Sequence, residues 1–259
     1  MDLEQPLRDF IQRSSFPVLG AITAVGFAAI YFGLGGLGTF LVRRIFPRLG
    51  LGHVIDAQPL RPGQLREEIG WSLVSIVIFG GYGALTLWMD ARGLTLLRWE
   101  LTPLGLARDL LVLTLWNEAH FYVCHRLLHT RWLFRHVHSI HHRSRVPTPF
   151  STYSFHPLEA TMLGSVMVTL QLFYDVSIWA ALTYPLVSLT MNCLGHLNYS
   201  LLPGRWWTAP LRASEHHGLH HRKVKGNYGF QLPGLDQVLG TSLSPSTPPP
   251  PASGPRPPG

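Results

Sequence analysis

Residues 16–42 contain no charged side chain, and a second uncharged run covers 71–89. A bilayer crossing takes about 20 predominantly apolar residues, so each run predicts a membrane-spanning helix. The first is also longer than the core of a secretory signal, which is about 7–15 residues. Gly20, Gly26, Gly33, Gly35, Gly36 and Gly38 lie within it, and small residues let helices approach closely in lipid. A third run, 106–124, is interrupted by Arg108, Asp109, Glu118 and His120, which predicts a helix with an apolar face and one polar face. Runs 157–174 and 176–195 meet at Asp175 and predict a re-entrant or transmembrane hairpin. The expected fold is therefore all-α, an integral membrane protein with four to five membrane helices or hairpin segments.

Composition agrees. Of 259 residues, 46% are hydrophobic and 14% charged, against roughly a quarter charged in soluble domains; mean hydropathy is +0.16. The net charge of +7 comes mostly from arginine, since Lys223 and Lys225 are the only lysines. Many arginines flank apolar runs, where topology and lipid headgroups select them, and no base-reading motif accompanies them, so a nucleic-acid partner is excluded. Arg43, Arg44, Arg48, Arg61 and Arg66 make 43–70 the cytoplasmic loop. Crossing out over 71–89 and back over 106–124 then places residue 125 onward in the cytoplasm, and a hairpin over 157–195 returns residue 196 to that side. Cys124 and Cys193 form neither a disulfide framework nor a CxxC metal site. The stretch 245–259 holds eight prolines, and the tail 242–259 is expected to be disordered.

Fourteen histidines break the apolar pattern, and eleven of them fall in 120–142 and 216–221. His125 and His129 are four apart, one turn along a single helical face. Glu118 stands two turns before His125 on that side. His138, His141 and His142 follow i, i+3, i+4 spacing, which predicts three imidazoles on one helical stripe; His217, His220 and His221 repeat it. Neutral imidazole is a metal ligand near pH 7. Eight such nitrogens exceed what one four- to six-coordinate ion takes, so two metals are expected. An ordinary core does not tolerate so many buried polar rings without partners. Glu-x-x-His pairs of soluble di-iron bundles, HExxH and the zinc-deaminase pair are all absent from the sequence. Ligand type alone suits zinc, iron or copper.

Three boxes in this order, with these neighbours, resemble the fatty acid hydroxylase/sterol desaturase superfamily of integral membrane proteins, over about residues 106–241. The matching residues are Phe121-Tyr122-x-x-His125-Arg126-x-x-His129, then His138-x-x-His141-His142 with Pro147-Thr-Pro-Phe150 and Phe155-His156-Pro-Leu-Glu159, and finally His216-His217-x-x-His220-His221 with Asn227-Tyr228-Gly229 and Leu235-Asp236-x-x-x-Gly240-Thr241. The middle stretch is similar to the sterol desaturase branch and its bacterial relatives. Glu118 stands where the family usually has Asp, and Leu235 where it has Trp. Some members carry a further histidine pair, and here those positions are Asn192 and His196.

The resemblance implies a cytoplasmic helical cap, rich in histidine, holding two iron ions over a membrane domain, with zinc possible in isolated protein. It implies oxygen-dependent hydroxylation or desaturation of a lipid substrate, fed by a separate electron donor, a b-type cytochrome or a ferredoxin with its reductase. The implied ligands are His125, His129, His138, His141, His142, His217, His220 and His221, with His196 as a further candidate. Glu118 is expected either to accept a hydrogen bond from a ligand imidazole or to pair with Arg126. His156 and His216 either support ligands or serve turns, and Asn192 stands beside the ligands. The expected division is 1–105 for N-terminal membrane helices and loops, 106–241 for the catalytic domain and 242–259 for the tail. The membrane is the inner membrane in a bacterium or the endoplasmic reticulum in a eukaryote. A non-catalytic metal-bound membrane protein that retained the boxes is the competing reading.

Overall fold

The computed structural model describes residues 4–201 and 212–243, and the proline-rich stretch from 244 onward lies outside the described residues. Among the described residues, eleven α-helices run in the order α1 (Glu4–Arg13), α2 (Phe16–Phe40), α3 (Phe46–Arg48), α4 (Gln64–Ala91), α5 (Pro103–Leu128), α6 (Arg131–Leu133), α7 (Pro157–Gly164), α8 (Val166–Gln171), α9 (Ile178–Gly195), α10 (Ala213–Lys223) and α11 (Gly234–Val238). A π-helical turn, Leu41–Ile45, carries α2 without a break into α3. The described strands are two antiparallel pairs of residues, β1 (His53–Val54) and β2 (Tyr199–Ser200), with His53 opposite Ser200.

Three of these segments are long and apolar enough to cross a bilayer: Phe16–Arg48, Gln64–Ala91 and Ile178–Gly195. The expected count of four to five also included α5 and the run 157–174. α5 has the length, but Arg108, Asp109, Glu118 and His120 lower its apolarity. The 157–174 run is two short helices, α7 and α8, separated at Ser165.

Local chemistry sets the helix starts. Thr102 accepts the Gly105 amide with its hydroxyl, and Pro103 opens the first turn of α5, where a missing N–H costs nothing. Ser177 caps α9 in the same way through the Ala180 amide. α2 and α4 form the closest pair. A Cβ on Gly80 would stand 2.6 Å from the Ala24 Cβ and 2.8 Å from the Gly20 carbonyl, so only glycine allows this approach. The Thr23 hydroxyl then reaches the Gly80 carbonyl at 2.7 Å, an interhelical bond of the type favoured in lipid.

The two ends of the bundle differ. At one end, Asp109 is fully buried and accepts bonds from Arg98 (2.5 and 2.7 Å), the Tyr174 hydroxyl (2.7 Å) and the Ser177 amide (2.8 Å). That clamp ties the start of α5 to the turn between α8 and α9. At the other end, the Arg43–Arg66 connection closes over the histidine segments. Its β1 pairs with β2 just after His196, and Gln64 donates to the Val146 carbonyl at 2.9 Å. Buried Glu68 accepts from Ser144 (2.7 Å) and Thr148 (2.6 Å). The segment that follows His142 is thereby bonded to the first turns of α4.

Candidate metal centre

The histidines come from five local structures. His125 ends α5 and His129 caps it. His138 lies in a π-helical turn, Phe134–His138, and His141 and His142 in a tight 3-10 turn, His141–Arg143. His196 caps the end of α9, and His217, His220 and His221 lie on α10. Two groups result: His125, His129, His138, His142 and His220 in one, and His141, His196, His217 and His221 in the other, with the ligand atoms of each within 4.8 Å of one another.

The expectation of three imidazoles on one stripe is corrected. His138 and His142 join the first group and His141 the second, while His217 and His221 join the second and His220 the first. Each HxxHH box thus gives a pair four residues apart to one group and a single ring to the other. Side chains four apart share a helix face, whereas neighbours point about 100° apart. The spacing therefore bridges two positions instead of filling one. Ring centroids of His142 and His221, from different groups, are 4.8 Å apart.

The nitrogens face each other. Nε2 of His138 stands 3.1 Å from Nε2 of both His125 and His142, and Nε2 of His220 lies 3.1 Å from His142 and 3.2 Å from His129. In the second group, Nε2 of His217 is 3.1 Å from that of His196 and 3.0 Å from that of His221. Imidazoles about 2.1 Å from a shared ion would be about 3.0 Å apart at right angles and about 3.4 Å apart at tetrahedral angles. The opposite ring atoms set the tautomers. Nδ1 of His125 donates to the Tyr228 carbonyl (2.9 Å), of His220 to the Gly226 carbonyl (2.7 Å), of His196 to the Asn192 carbonyl (2.8 Å) and of His138 to the Glu159 carboxylate (2.7 Å). With the proton on Nδ1, each Nε2 presents a lone pair, and lone pairs meeting at 3.1 Å repel unless a cation lies between them. The donor set therefore fits bound metal ions.

Burial keeps the rings neutral. Eight of the nine are buried and His129 is half-buried. Desolvation, and then neighbouring imidazoles, push His138, His141, His142, His217, His220 and His221 well below the ordinary imidazole range. Desolvation takes His196 down to about 4, and desolvation with the nearby His220 takes His129 down to about 3.

The supporting residues differ from expectation in part. The Glu118 carboxylate accepts the Gln231 amide at 3.0 Å and contacts no ligand imidazole, because two turns on α5 put about 10 Å between residues 118 and 125. Nor does it pair with Arg126, which donates to the Tyr122 hydroxyl. His156 caps α7, accepting the Leu158 amide at 3.1 Å, so it serves the turn. His216 bonds Asp236 at 3.2 Å. Asp236 also accepts the amides of Tyr228 (2.7 Å) and Gly229 (2.8 Å) and the Thr241 hydroxyl. Burial pushes its carboxyl up, but these bonds, led by His216, prevail and hold it down to about 2. Asn192 meets the site through its backbone carbonyl. His120 bonds Ser165 and His136 bonds the Trp132 carbonyl, both outside the two groups.

Glu159 is the residue the sequence reading passed over. It is fully buried, and its contact with His138 is the carboxylate–imidazole pairing that orients metal ligands. An acidic residue inside an otherwise apolar run, three positions after His156, was the available signal. The carbonyls of Gly226 and Tyr228 left no side-chain signal.

Beside the two groups lies a cavity of about 350 Å³, lined mainly by apolar and aromatic side chains of α2, α4, α5, α8 and α9. Phe121 and Phe155 in its wall pack at a tilt against ligand rings, with centroids 4.9 Å from His125 and 5.1 Å from His141.

Fold and site together define a helical membrane protein with paired imidazole metal positions beside an apolar cavity. The sequence pattern of the fatty acid hydroxylase family matches residues 110–241, about half the chain, and the protein belongs to that family. It is 24% identical to a Delta(7)-sterol 5(6)-desaturase of Aspergillus fumigatus, over 92% of this chain and 79% of that one. It is 28% identical to methylsterol monooxygenase 1 of Rattus norvegicus, over 56% and 49%. A very-long-chain aldehyde decarbonylase of Oryza sativa is 31% identical over 48% of this chain and 21% of that protein. No solved structure matches.

Proposed function

We propose that this protein oxidises C–H bonds of a membrane lipid with dioxygen, as a hydroxylase or desaturase, at a pair of iron ions held by the two imidazole groups. The observation that carries the reading is the shared wall, in which Phe121 and Phe155 line the apolar cavity and pack against ligand imidazoles of each group. Sterol-acting relatives favour a ring lipid as the substrate class. Along α9 the lining extends from Ala181 to Asn192, about 16 Å at 1.5 Å per residue. That is close to half of the hydrocarbon core, which is about 30 Å thick. A lipid can enter sideways from one leaflet, so that its reacting carbon never crosses water.

The bound ions would supply activation of dioxygen and removal of hydrogen from an unreactive C–H bond. The chain's own contribution is positioning. Glu159 and the carbonyls of Tyr228, Gly226 and Asn192 hold the proton on Nδ1 and aim Nε2 inward. Neutral imidazoles leave the ionic charge largely uncompensated, and the aromatic wall keeps water from the reacting carbon. Residues 106–241 form the catalytic part, whose helices α5, α8 and α9 line the cavity together with α2 and α4 of 1–105. The arginines at 43, 44, 48, 61 and 66 lie on the connection bonded to the histidine segments, and the positive-inside bias supports a cytoplasmic centre. Electrons come from a separate donor, a b-type cytochrome or a ferredoxin with its reductase.

The test is comparative lipid analysis of cells with and without the gene, joined to metal analysis of purified protein. His141→Ala should abolish the lipid product and lower metal content while membrane insertion persists. Product mass separates alcohol (one added oxygen) from alkene (two lost hydrogens). Full product formation by the variant defeats the reading. Tightly held zinc with no dioxygen uptake under reducing conditions favours a non-catalytic metal protein.

A further inference from the structure

His129 differs from the other ligands of the two groups, because its imidazole is half-exposed while the other eight are buried. The Phe134 ring lies 5.3 Å from it and the Tyr228 ring 5.0 Å, both of them half-buried. The backbone of Val224 also faces it, held in a left-handed turn (φ +61°) between Lys223 and Lys225. Arg131 follows two residues later. Arg131, Arg135, Arg222, Lys223 and Lys225 are all exposed and have no ion pair among the described residues.

Charge around this edge has one sign. Residues 119–156 and 216–235, which carry eight of the nine ligand imidazoles, contain eight Arg or Lys and no Asp or Glu. Of the acids near the centre, Glu118, Glu159 and Asp236 are buried and engaged with the backbone or with histidines, and Glu215, two residues before His217, is paired with Arg212. We propose that the half-buried His129 edge, with Arg131 two residues along the chain and Arg222, Lys223 and Lys225 on the segment whose Val224 backbone faces it, is the docking surface through which an acidic one-electron carrier protein reduces the centre.

The inference rests on the proposed lipid oxidation, whose balance requires such a partner. Hydroxylation follows RH + O₂ + 2 e⁻ + 2 H⁺ → ROH + H₂O, so two carriers are each oxidised by one electron per turnover, and the protons come from solvent. Electron transfer needs close approach, and eight of the nine ligand rings lie beneath protein. A cationic rim around the ninth steers an acidic carrier to that one place and speeds its arrival. Such steering weakens with salt, as the Debye length shortens from about 10 Å at 0.1 M to about 3 Å at 1 M.

The test uses the full chain, loaded with iron in nanodiscs of zwitterionic lipid, and the variant Arg131→Glu/Lys223→Glu/Lys225→Glu. Reduction of the centre is followed by stopped-flow absorbance, with a reduced acidic b-type cytochrome domain and a reduced acidic ferredoxin as probes. At low salt the triple variant should be reduced at least tenfold more slowly than the wild type by one or both probes. The wild-type rate should fall steeply with salt and the variant rate should not. Dithionite, which needs no docking, should reduce both proteins equally. Equal carrier rates in variant and wild type overturn the proposal. So does a variant that loses only its binding to anionic vesicles, an outcome that assigns the rim to lipid headgroups. Failure of dithionite to reduce the iron-loaded wild type counts instead against the proposed oxidative function itself.

Discussion

The two imidazole groups are held in unlike ways. In the five-ring group, one ring is bonded to the buried carboxylate of Glu159 and two to carbonyls of the turn at 226–228. That turn is itself fixed by Asp236. The four-ring group has backbone support alone among the described residues, from the Asn192 carbonyl at His196 and the Ser154 backbone facing His141. One position is therefore over-determined, with a ring to spare and a buried carboxyl group bonded to one of its rings. The other uses every ring it has. Unequal support of this kind makes the two positions respond differently to the same injury, which gives the comparison experimental content.

The largest effect is expected from removing one ring from each group in turn. His221→Ala leaves three imidazoles in the smaller group and should lose close to one metal ion per chain together with lipid oxidation. His129→Ala leaves four in the larger group and should keep both ions. Metal-to-protein ratios of the purified variants check this. Equal losses in the two variants would mean that the groups are equivalent, and the comparison would fail.

Glu159→Gln comes next. The amide keeps the shape but removes the carboxyl group bonded to His138. Loss of such a partner costs about 10–100-fold in metal affinity, and the loss should fall on the five-ring position alone. Chelator competition, read as two separate release phases, measures it. A weakened four-ring phase would contradict the assignment of Glu159 to one position.

Asp236 gives a smaller, pH-dependent effect. Its carboxyl is held at about 2 in the folded chain, below the roughly 3.9 of an unfolded one. A depressed acid contributes stability that is complete above the unfolded value and lost as pH falls through the folded one. The contribution is about 2 kcal/mol at neutral pH, and it fades between about pH 4 and pH 2. Asp236→Asn should melt lower than wild type at pH 7 and converge with it toward pH 2, as followed by thermal unfolding in detergent. A gap that stays constant with pH would show that shape, and not charge, fixes the 226–229 turn.

These contrasts also mark how far the sequence could be read. The uncharged runs at 16–42 and 71–89 lie in α2 and α4 because length and apolarity alone decide whether a helix suits a bilayer. The 157–174 run is similarly apolar but is two short helices, since Ser165 breaks the helix without disturbing hydropathy. Histidine spacing announced metal chemistry, but not the division of each box between two positions. That division follows from the 100° between neighbouring residues and recurs on the regular helix α10, but spacing alone does not show that partner rings wait on both faces. Glu159 lies 21 residues from His138 and Tyr228 lies 103 residues from His125, so these contacts arise only from tertiary packing. A backbone carbonyl, being common to all residues, leaves no mark in a sequence at all.

The smallest effect should come from Asn192, and it sharpens the comparison by its very absence. Its side chain makes a 3.3 Å bond to the Thr152 carbonyl, while its own carbonyl accepts the His196 Nδ1–H at 2.8 Å. Asn192→Ala deletes the first contact and leaves the second in place. The expected cost is that of one long neutral hydrogen bond, at most about 1 kcal/mol, with both metal ions retained. If Asn192→Ala instead empties the four-ring position, the side chain and not the helix backbone supports His196. The smaller group would then have a polar side-chain prop of its own, and the proposed asymmetry between the two positions would shrink to their difference in ring number.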